Sequence, residues 1–170
     1  SSSSLMLTVD KFKTGDILQR NSIHTPQSLL LNTGQKLLSS KLTFPCIIKP
    51  NTEGSSISLY KVTNEDELVP TVEKMLTDHK SILLQEFVSG REFTCGVVEI
   101  NNQTIALSPT EIILTKGDVF DYTAKYTVSG CQEITPAQVD VDTTIRIQDL
   151  AKKVHELCGC KDISRTDMIM

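Results

Sequence analysis

The stretch from Ser81 to Leu107 limits the architecture more than any other part of the chain. Ser81 to Val88 reads as a strand ending in a Ser89-Gly90 turn, Glu92 to Ile100 alternates apolar and polar residues, Asn101-Asn102 offers a two-residue turn, and Thr104 to Leu107 returns. Strands joined by turns this short are antiparallel, because parallel neighbours need a crossover of roughly a dozen residues. The other elements arrange themselves around this antiparallel unit. Between Asp10 and about Ser22, Phe12, Ile17 and Leu18 fall on one side and Lys13, Asp16, Gln19 and Arg20 on the other, which predicts a short amphipathic helix with Asp10 as its N-cap. Ser28 to Leu31 predicts a strand turned by Asn32-Thr33-Gly34. Cys46 to Pro50 predicts a short buried strand, followed by a turn-rich loop over Asn51 to Ser56 and a strand from Ile57 to Val62. Asn64 and Glu67 have capping-box spacing ahead of Leu68, Val72, Met75 and Leu76, so a helix runs to about Asp78. Residues 115 to 142 have loop chemistry, with Phe120, Tyr122 and Tyr126 among them. Thr143 to Leu157 predicts a helix closed by Gly159, and Ile163 to Met170 a final strand. The fold class is α+β with a mainly antiparallel sheet.

Composition narrows the function classes. A chain of 170 residues makes one domain or two small ones sharing a core, and 39% apolar with 22% charged residues is ordinary soluble globular composition. No apolar run is long enough to span a membrane. With 17 Lys and Arg against 21 Asp and Glu the net charge is −4, which argues against a nucleic-acid partner, so an anionic ligand must be met by individually placed groups. An odd count of five cysteines with no leader ahead of them predicts a reduced, cytoplasmic protein. Cys158-Gly-Cys160 has no second pair to complete a zinc site, and buried or half-buried thiols are the simpler account. The run Ser1 to Ser4 fits either an expression scar or a phosphate-contacting loop. His24, His79 and His155 fall near helix ends or on polar faces and receive no catalytic role. The motifs of serine hydrolases, P-loop kinases and zincins are absent.

Four places can carry chemistry. Lys49 ends an apolar strand just before Pro50 and a Gly-Ser loop, which is how a cation and backbone N–H groups are brought to a polyphosphate; a surface lysine beside an ordinary turn has the same local pattern. Glu86 and Glu92, with Arg91 between them, flank the Ser89-Gly90 turn and suit either sugar hydroxyls and a base amine or a solvated hairpin end. Lys125 and Tyr126 lie in the long loop, as a lid or as a loop pinned by aromatic packing. Arg165 and Asp167 alternate on the last strand and share a face; turned inward among Ile163, Met168 and Ile169 they must be paired with each other or liganded.

Taken in order, Val9-Asp-Lys11, Ile48-Lys-Pro50 with Glu53-Gly-Ser-Ser56, Gln85 to Phe93, Phe120 to Tyr126, Pro136-Ala137, and Leu157 to Cys160 leading to Arg165-Thr-Asp167 resemble the ATP-grasp enzymes, and within them the D-alanine-D-alanine ligases. The resemblance spans nearly the whole chain. It implies an ATP-grasp fold in which two antiparallel sheets with flanking helices clamp ATP, with residues 1–88 as the central subdomain and 89–170 as the start of the C-terminal one.

By position, the resemblance implies that Lys11 and Lys49 hold ATP phosphates and that Glu53, Gly54 and Ser56 form the loop folding over them, with Ser55 facing the reacting centre. Gln85, Glu86 and Val88 would line the adenine site, the last two through backbone groups. Glu92 would take the ribose hydroxyls, Lys125 would reach the γ-phosphate, Arg165 would sit by the developing oxyanion, and Asp167 would bind Mg²⁺ or Mn²⁺. Tyr126 is similar to the loop residue of dipeptide makers, which implies D-alanine as the second substrate as well as the first. The product would be the D-alanyl-D-alanine of peptidoglycan, made in the cytoplasm by an enzyme with room for a homodimeric state. Alternatives are another ATP-grasp carboxylate-amine ligase and a non-catalytic ATP-binding module. The chain departs from the family in Gln85, where a Glu is usual, and in Ser58, where a Gly is common. It has no counterpart of the N-terminal substrate domain or of the Glu-x-Asn pair that completes the metal site. It therefore reads as the middle portion of a longer enzyme, inactive by itself.

Overall fold

The computed structural model describes residues 2–37, 42–53, 58–114 and 131–170. In chain order the elements are α1 (Ser2–Val9), α2 (Lys11–Arg20), β1 (Ser28–Asn32), β2 (Cys46–Pro50), β3 (Tyr60–Val62), α3 (Glu65–Asp78), β4 (Ser81–Glu86), β5 (Glu92–Ile100), β6 (Gln103–Ala106), β7 (Thr110–Leu114), β8 (Cys131–Ile134), α4 (Val141–Leu157) and β9 (Ile163–Ile169). Among the described residues they gather into two compact units, one of residues 9–88 and one of residues 89–114 and 131–170 that also takes in most of α1.

The first unit is a four-stranded antiparallel sheet in the order β1-β4-β2-β3. Strand parity divides its residues between two faces. Cys46 and Ile48 of β2, Ile82 and Leu84 of β4, Leu31 of β1 and Val62 of β3 point to one face and bury against Leu68, Val72 and Met75 of α3. Lys49, Gln85 and Ser28 belong to the other face, because Ile47 pairs with Gln85 and Ser28 sits directly opposite Gln85. Asn64 caps α3 by accepting from Glu67 N–H at 3.0 Å. The reciprocal half of the expected capping box is shifted by one residue, since the Glu67 carboxylate accepts from Thr63 N–H and Oγ1 rather than from Asn64 N–H. β3 starts at Tyr60, later than the predicted Ile57, because Ser58 takes φ +59°, a left-handed turn conformation incompatible with a strand.

The second unit is a five-stranded antiparallel sheet built on β5. β9 pairs along one edge from Glu92 to Val98, while β7 (at Glu92–Thr94) and β6 (at Val97–Ile100) share the other edge, and β8 lies outside β7. Asn101 and Asn102 have φ +52° and +61°, the conformation a two-residue turn between twisted antiparallel strands needs, and Asn tolerates it better than most residues. Phe93, Cys95 and Val97 of β5 bury with Ala137 and with Ile147 and Ala151 of α4, and Met168 packs against them. α4 begins at Val141, two residues before the predicted start, because Asp140 rather than a later residue caps it, accepting from Thr143 N–H at 2.7 Å.

Several expectations are corrected. Residues Ser2 to Ser4 are helical, so the serine run is no loop. β7 and β8 are strands where none was predicted. β7 buries a carboxylate, Glu111 at 6% exposure, which breaks the expected alternation, and β8 is only Cys-Gln-Glu-Ile. Glu111 is accommodated by Arg91, whose Nε and Nη2 donate to its two oxygens at 2.7 and 2.8 Å. His155 is on no polar face. It is 1% exposed, bonded through Nδ1 to Ser164 Oγ at 2.7 Å and facing Glu99. Arg165 and Asp167 do share a face of β9, but it is the exposed one; the inward residues of that strand are Ser164, Thr166 and Met168. Cys46, Cys95 and Cys158 are buried and Cys131 and Cys160 half-buried, all as free thiols.

Candidate functional site

The first unit holds a lysine site. The Lys49 ammonium donates to Gln85 Oε1 at 2.8 Å, and Gln85 Nε2 donates in turn to Ser28 Oγ at 2.9 Å. Ser28 Oγ donates to the Pro26 carbonyl at 3.0 Å, so the orientation of the Gln85 amide is set from both ends. Burial, with the nearby Lys11 charge adding to it, pushes Lys49 from 10.5 down to about 8. Two ammonium groups close enough to repel, one of them bound to a neutral amide, form a place where an anion is electrostatically welcome.

Lys11 is the first residue of α2, and its ammonium donates to the carbonyls of Pro50 and Asn51, at 3.0 and 3.2 Å, and of Glu53. Asn51, 3% exposed, stitches the same junction. Its Oδ1 accepts from Phe12 N–H, its Nδ2 donates to Asp10 Oδ1, and its carbonyl accepts from Lys11 N–H. The start of α2 is thereby bolted to the end of β2, which brings the two lysines together. From the sequence, Asn51 receives no role and His79 no catalytic one; Asn51 directly follows the Lys-Pro pair, and that place is the available signal. His79 ends α3 and holds the Glu53 carboxylate at 2.6 Å.

Further along β4, Glu86 N–H donates to the Gln27 carbonyl at 2.9 Å, so that backbone donor is committed to the residue just before β1; Val88 is half-buried just beyond the strand. Gln85 does not present a free amide toward a base, since its oxygen serves Lys49 and its nitrogen serves Ser28.

The second unit holds an arginine-carboxylate pair. On the exposed face of β9, Arg165 Nε lies 3.2 Å from Asp167 Oδ1, and Thr94 Oγ1 of the neighbouring β5 donates to the same oxygen at 2.7 Å. Thr94 pairs with Asp167 across the strands, so the contact follows from register. Arg165, Thr94, Gly96, Thr110 and Thr135 line a concavity of about 620 Å³ on this unit. Glu92 is the first residue of β5, opposite Ile112 and Ile169. A Mg²⁺ ion takes a near-octahedral shell of oxygens. Asp167 supplies one carboxylate, and among the described residues no three His, Cys, Asp or Glu side chains converge on a point. These residues do not assemble a Mg²⁺ site by themselves. Gly54, Ser55, Ser56, Lys125 and Tyr126 lie outside the described residues.

Solved structures share this fold. The D-Ala:D-Ser ligase VanG from Enterococcus faecalis matches with a TM-score of 0.87 at 30% identity, over 99% of this chain and 50% of that one. A D-alanine-D-alanine ligase from Bacillus anthracis complexed with ATP matches with a TM-score of 0.80 over 99% of this chain and 52% of that one, and at 19% identity it speaks for the fold alone. Two antiparallel sheets with flanking helices are the ATP-grasp fold. Among curated proteins, D-alanine-D-alanine ligase of Bacteroides fragilis is 33% identical over 96% of this chain and 51% of its own length. The family model described as the D-ala D-ala ligase C-terminus matches residues 17–170, and the chain belongs to that family. It spans about half the length of the curated relatives it matches.

Proposed function

We propose that this chain is the ATP-binding part of an ATP-dependent ligase that joins two D-alanines into D-alanyl-D-alanine for peptidoglycan, in the cytoplasm. The observation that carries the ATP assignment is the Lys11–Lys49 pair, with Lys49 held by a neutral amide and pushed down to about 8. Family membership carries the rest. Among the described residues no helix is long and apolar enough to cross a membrane.

In this reading Lys49 holds the ATP phosphates, and the loop residues Gly54, Ser55 and Ser56 and the long-loop Lys125 act on the same phosphates. The carboxylate of the first D-alanine attacks the γ-phosphoryl group, ADP leaves, and an acyl phosphate forms. The amine of the second D-alanine attacks that carbonyl, loses a proton, and expels inorganic phosphate. Arg165 stabilises the negative oxygen of the tetrahedral intermediate, and Asp167 orients the guanidinium through Nε. A preorganised donor of this kind contributes about 3 to 4 kcal/mol. Tyr126 is the residue assigned to selecting an amine rather than a hydroxyl as the second nucleophile.

The test is ADP release by the intact gene product against a panel of D-alanine, D-serine and D-lactate. Release that depends on D-alanine, with D-alanyl-D-alanine as product, is expected. Release that ignores D-alanine would sink the assignment. Arg165→Ala should lower turnover by about 100-fold or more with little change in ATP affinity.

A further inference from the structure

Within the phosphate site proposed for the first unit, the carboxylates matter as much as the lysines. Two carboxylates act on Lys11 through space, Glu53 and Asp10. Each is occupied elsewhere. Asp10 accepts from Lys13 N–H and Asn51 Nδ2, both at 3.0 Å, and pairs with the Lys13 ammonium at 3.2 Å. Glu53 is taken by His79. Among the described residues neither Lys11 nor Lys49 forms an ion pair with a carboxylate.

The tether on Asp10 is the capping geometry of α2 and would form in any case. The tether on Glu53 is different, because its backbone carbonyl already accepts from the Lys11 ammonium, so its carboxylate is kept within a side chain's reach of the lysine pair. The Glu53 side chain is 49% exposed and has the freedom to swing, whereas the His79 side chain is 10% exposed. His79 is fixed as the C-cap of α3, its N–H donating to the Met75 carbonyl at 2.9 Å. With the Nδ1 hydrogen present, the imidazole donates to Glu53 Oε1 at 2.6 Å.

We propose that His79 is a positioning residue that keeps the Glu53 carboxylate from closing an ion pair with Lys11 or Lys49, so that both ammonium groups keep donors for a phosphate ligand. Glu53 then changes role. Expected as a phosphate-loop ligand, it is a competing anion that the fold restrains. The inference rests on the reading of this unit as a phosphate site.

The experiment is calorimetric titration of the 170-residue chain with ATP, comparing the parent with His79→Leu, His79→Asn, Glu53→Gln and the His79→Leu/Glu53→Gln double variant. Leu fills the space without a donor, and Asn keeps a donor near Nδ1. His79→Leu should weaken ATP binding about three- to tenfold, the scale of one added charge-charge competition at a partly desolvated site. His79→Asn should stay near the parent, and the double variant should return to within about twofold of Glu53→Gln alone. A purely structural role for His79 predicts no such rescue, so equal weakening in both Glu53 backgrounds, or parent affinity in His79→Leu, overturns the inference. Were His79→Leu unfolded, a His79→Asn variant that binds ATP more than about threefold more weakly than the parent would overturn it too. A parent chain that does not bind ATP removes the phosphate reading itself and this inference with it.

Discussion

Lys49 should make nucleotide affinity and fold stability respond to pH in opposite directions. In the free chain its ammonium titrates at about 8 instead of 10.5, burial being the larger cause and Lys11 the smaller. A bound polyphosphate favours the charged form, so binding takes up a proton whenever the free lysine is neutral. With a value of about 8, roughly ten molecules in eleven are charged at pH 7 and about one in eleven at pH 9, so affinity should fall about tenfold, or about 1.4 kcal/mol, across that interval. Stability runs the other way. The folded value lies below the unfolded one, so between about pH 8 and 10.5 the unfolded chain binds more protons and the stability contribution of this group rises with pH. The full cost of holding the charge at neutral pH is on the order of 3 kcal/mol at most. Lys49→Met should therefore stabilise the chain at pH 7, weaken ATP binding, and remove the pH dependence of what binding remains. Calorimetry at pH 7, 8 and 9 with parent and variant, beside urea unfolding at the same values, checks each part. A parent affinity that is flat from pH 7 to 9, or a slope unchanged in Lys49→Met, would refute the reasoning.

Two further outcomes concern the second unit. Arg91→Ala strands the buried Glu111 carboxylate and should lower the melting temperature, whereas replacing both residues by Leu should recover most of the loss, as scanning calorimetry would show. The Arg91 hydrogen bond holds Glu111 below the usual carboxylate range, so this contribution is present above the normal glutamate value and is lost as pH falls through the lowered one. Separately, Asn102→Gly at the β5–β6 turn, where φ is +61°, should leave the melting temperature unchanged or slightly raised by up to about 1 kcal/mol of stability, while Asn102→Val should lower it.

Much of the fold was legible because local rules and tertiary packing agree. Asp10 and Asn64 cap the helices they announce, and the Asn101-Asn102 turn dictates its hairpin. β7 and β8 were not legible, since the reason Glu111 is tolerable inside is an arginine some twenty residues earlier, and no local window contains both. The same holds at the site. Lys49 stands out in the sequence by its strand-end position before a Gly-Ser loop, whereas its hydrogen bond to Gln85 does not, because the cross-strand register that brings the two together is a long-range property. His155 shows the reverse error. A histidine at a helix end resembles a surface residue until Ser164, on the following strand, is folded over it.

The alternation along β2 carries a consequence for how this sequence can change. Ile48 and Lys49 are adjacent yet serve opposite sides of one sheet, the first sealed against α3 and the second bonded to Gln85 on the other face. A one-residue insertion or deletion inside Cys46–Pro50 would exchange them, driving an ammonium into the α3 core and an isoleucine onto the face that carries Gln85 and Ser28. A two-residue change would preserve both assignments. Length variation in this strand is thus restricted to even steps, and the α3 core and the proposed phosphate site share one arithmetic constraint that neither could relax without the other.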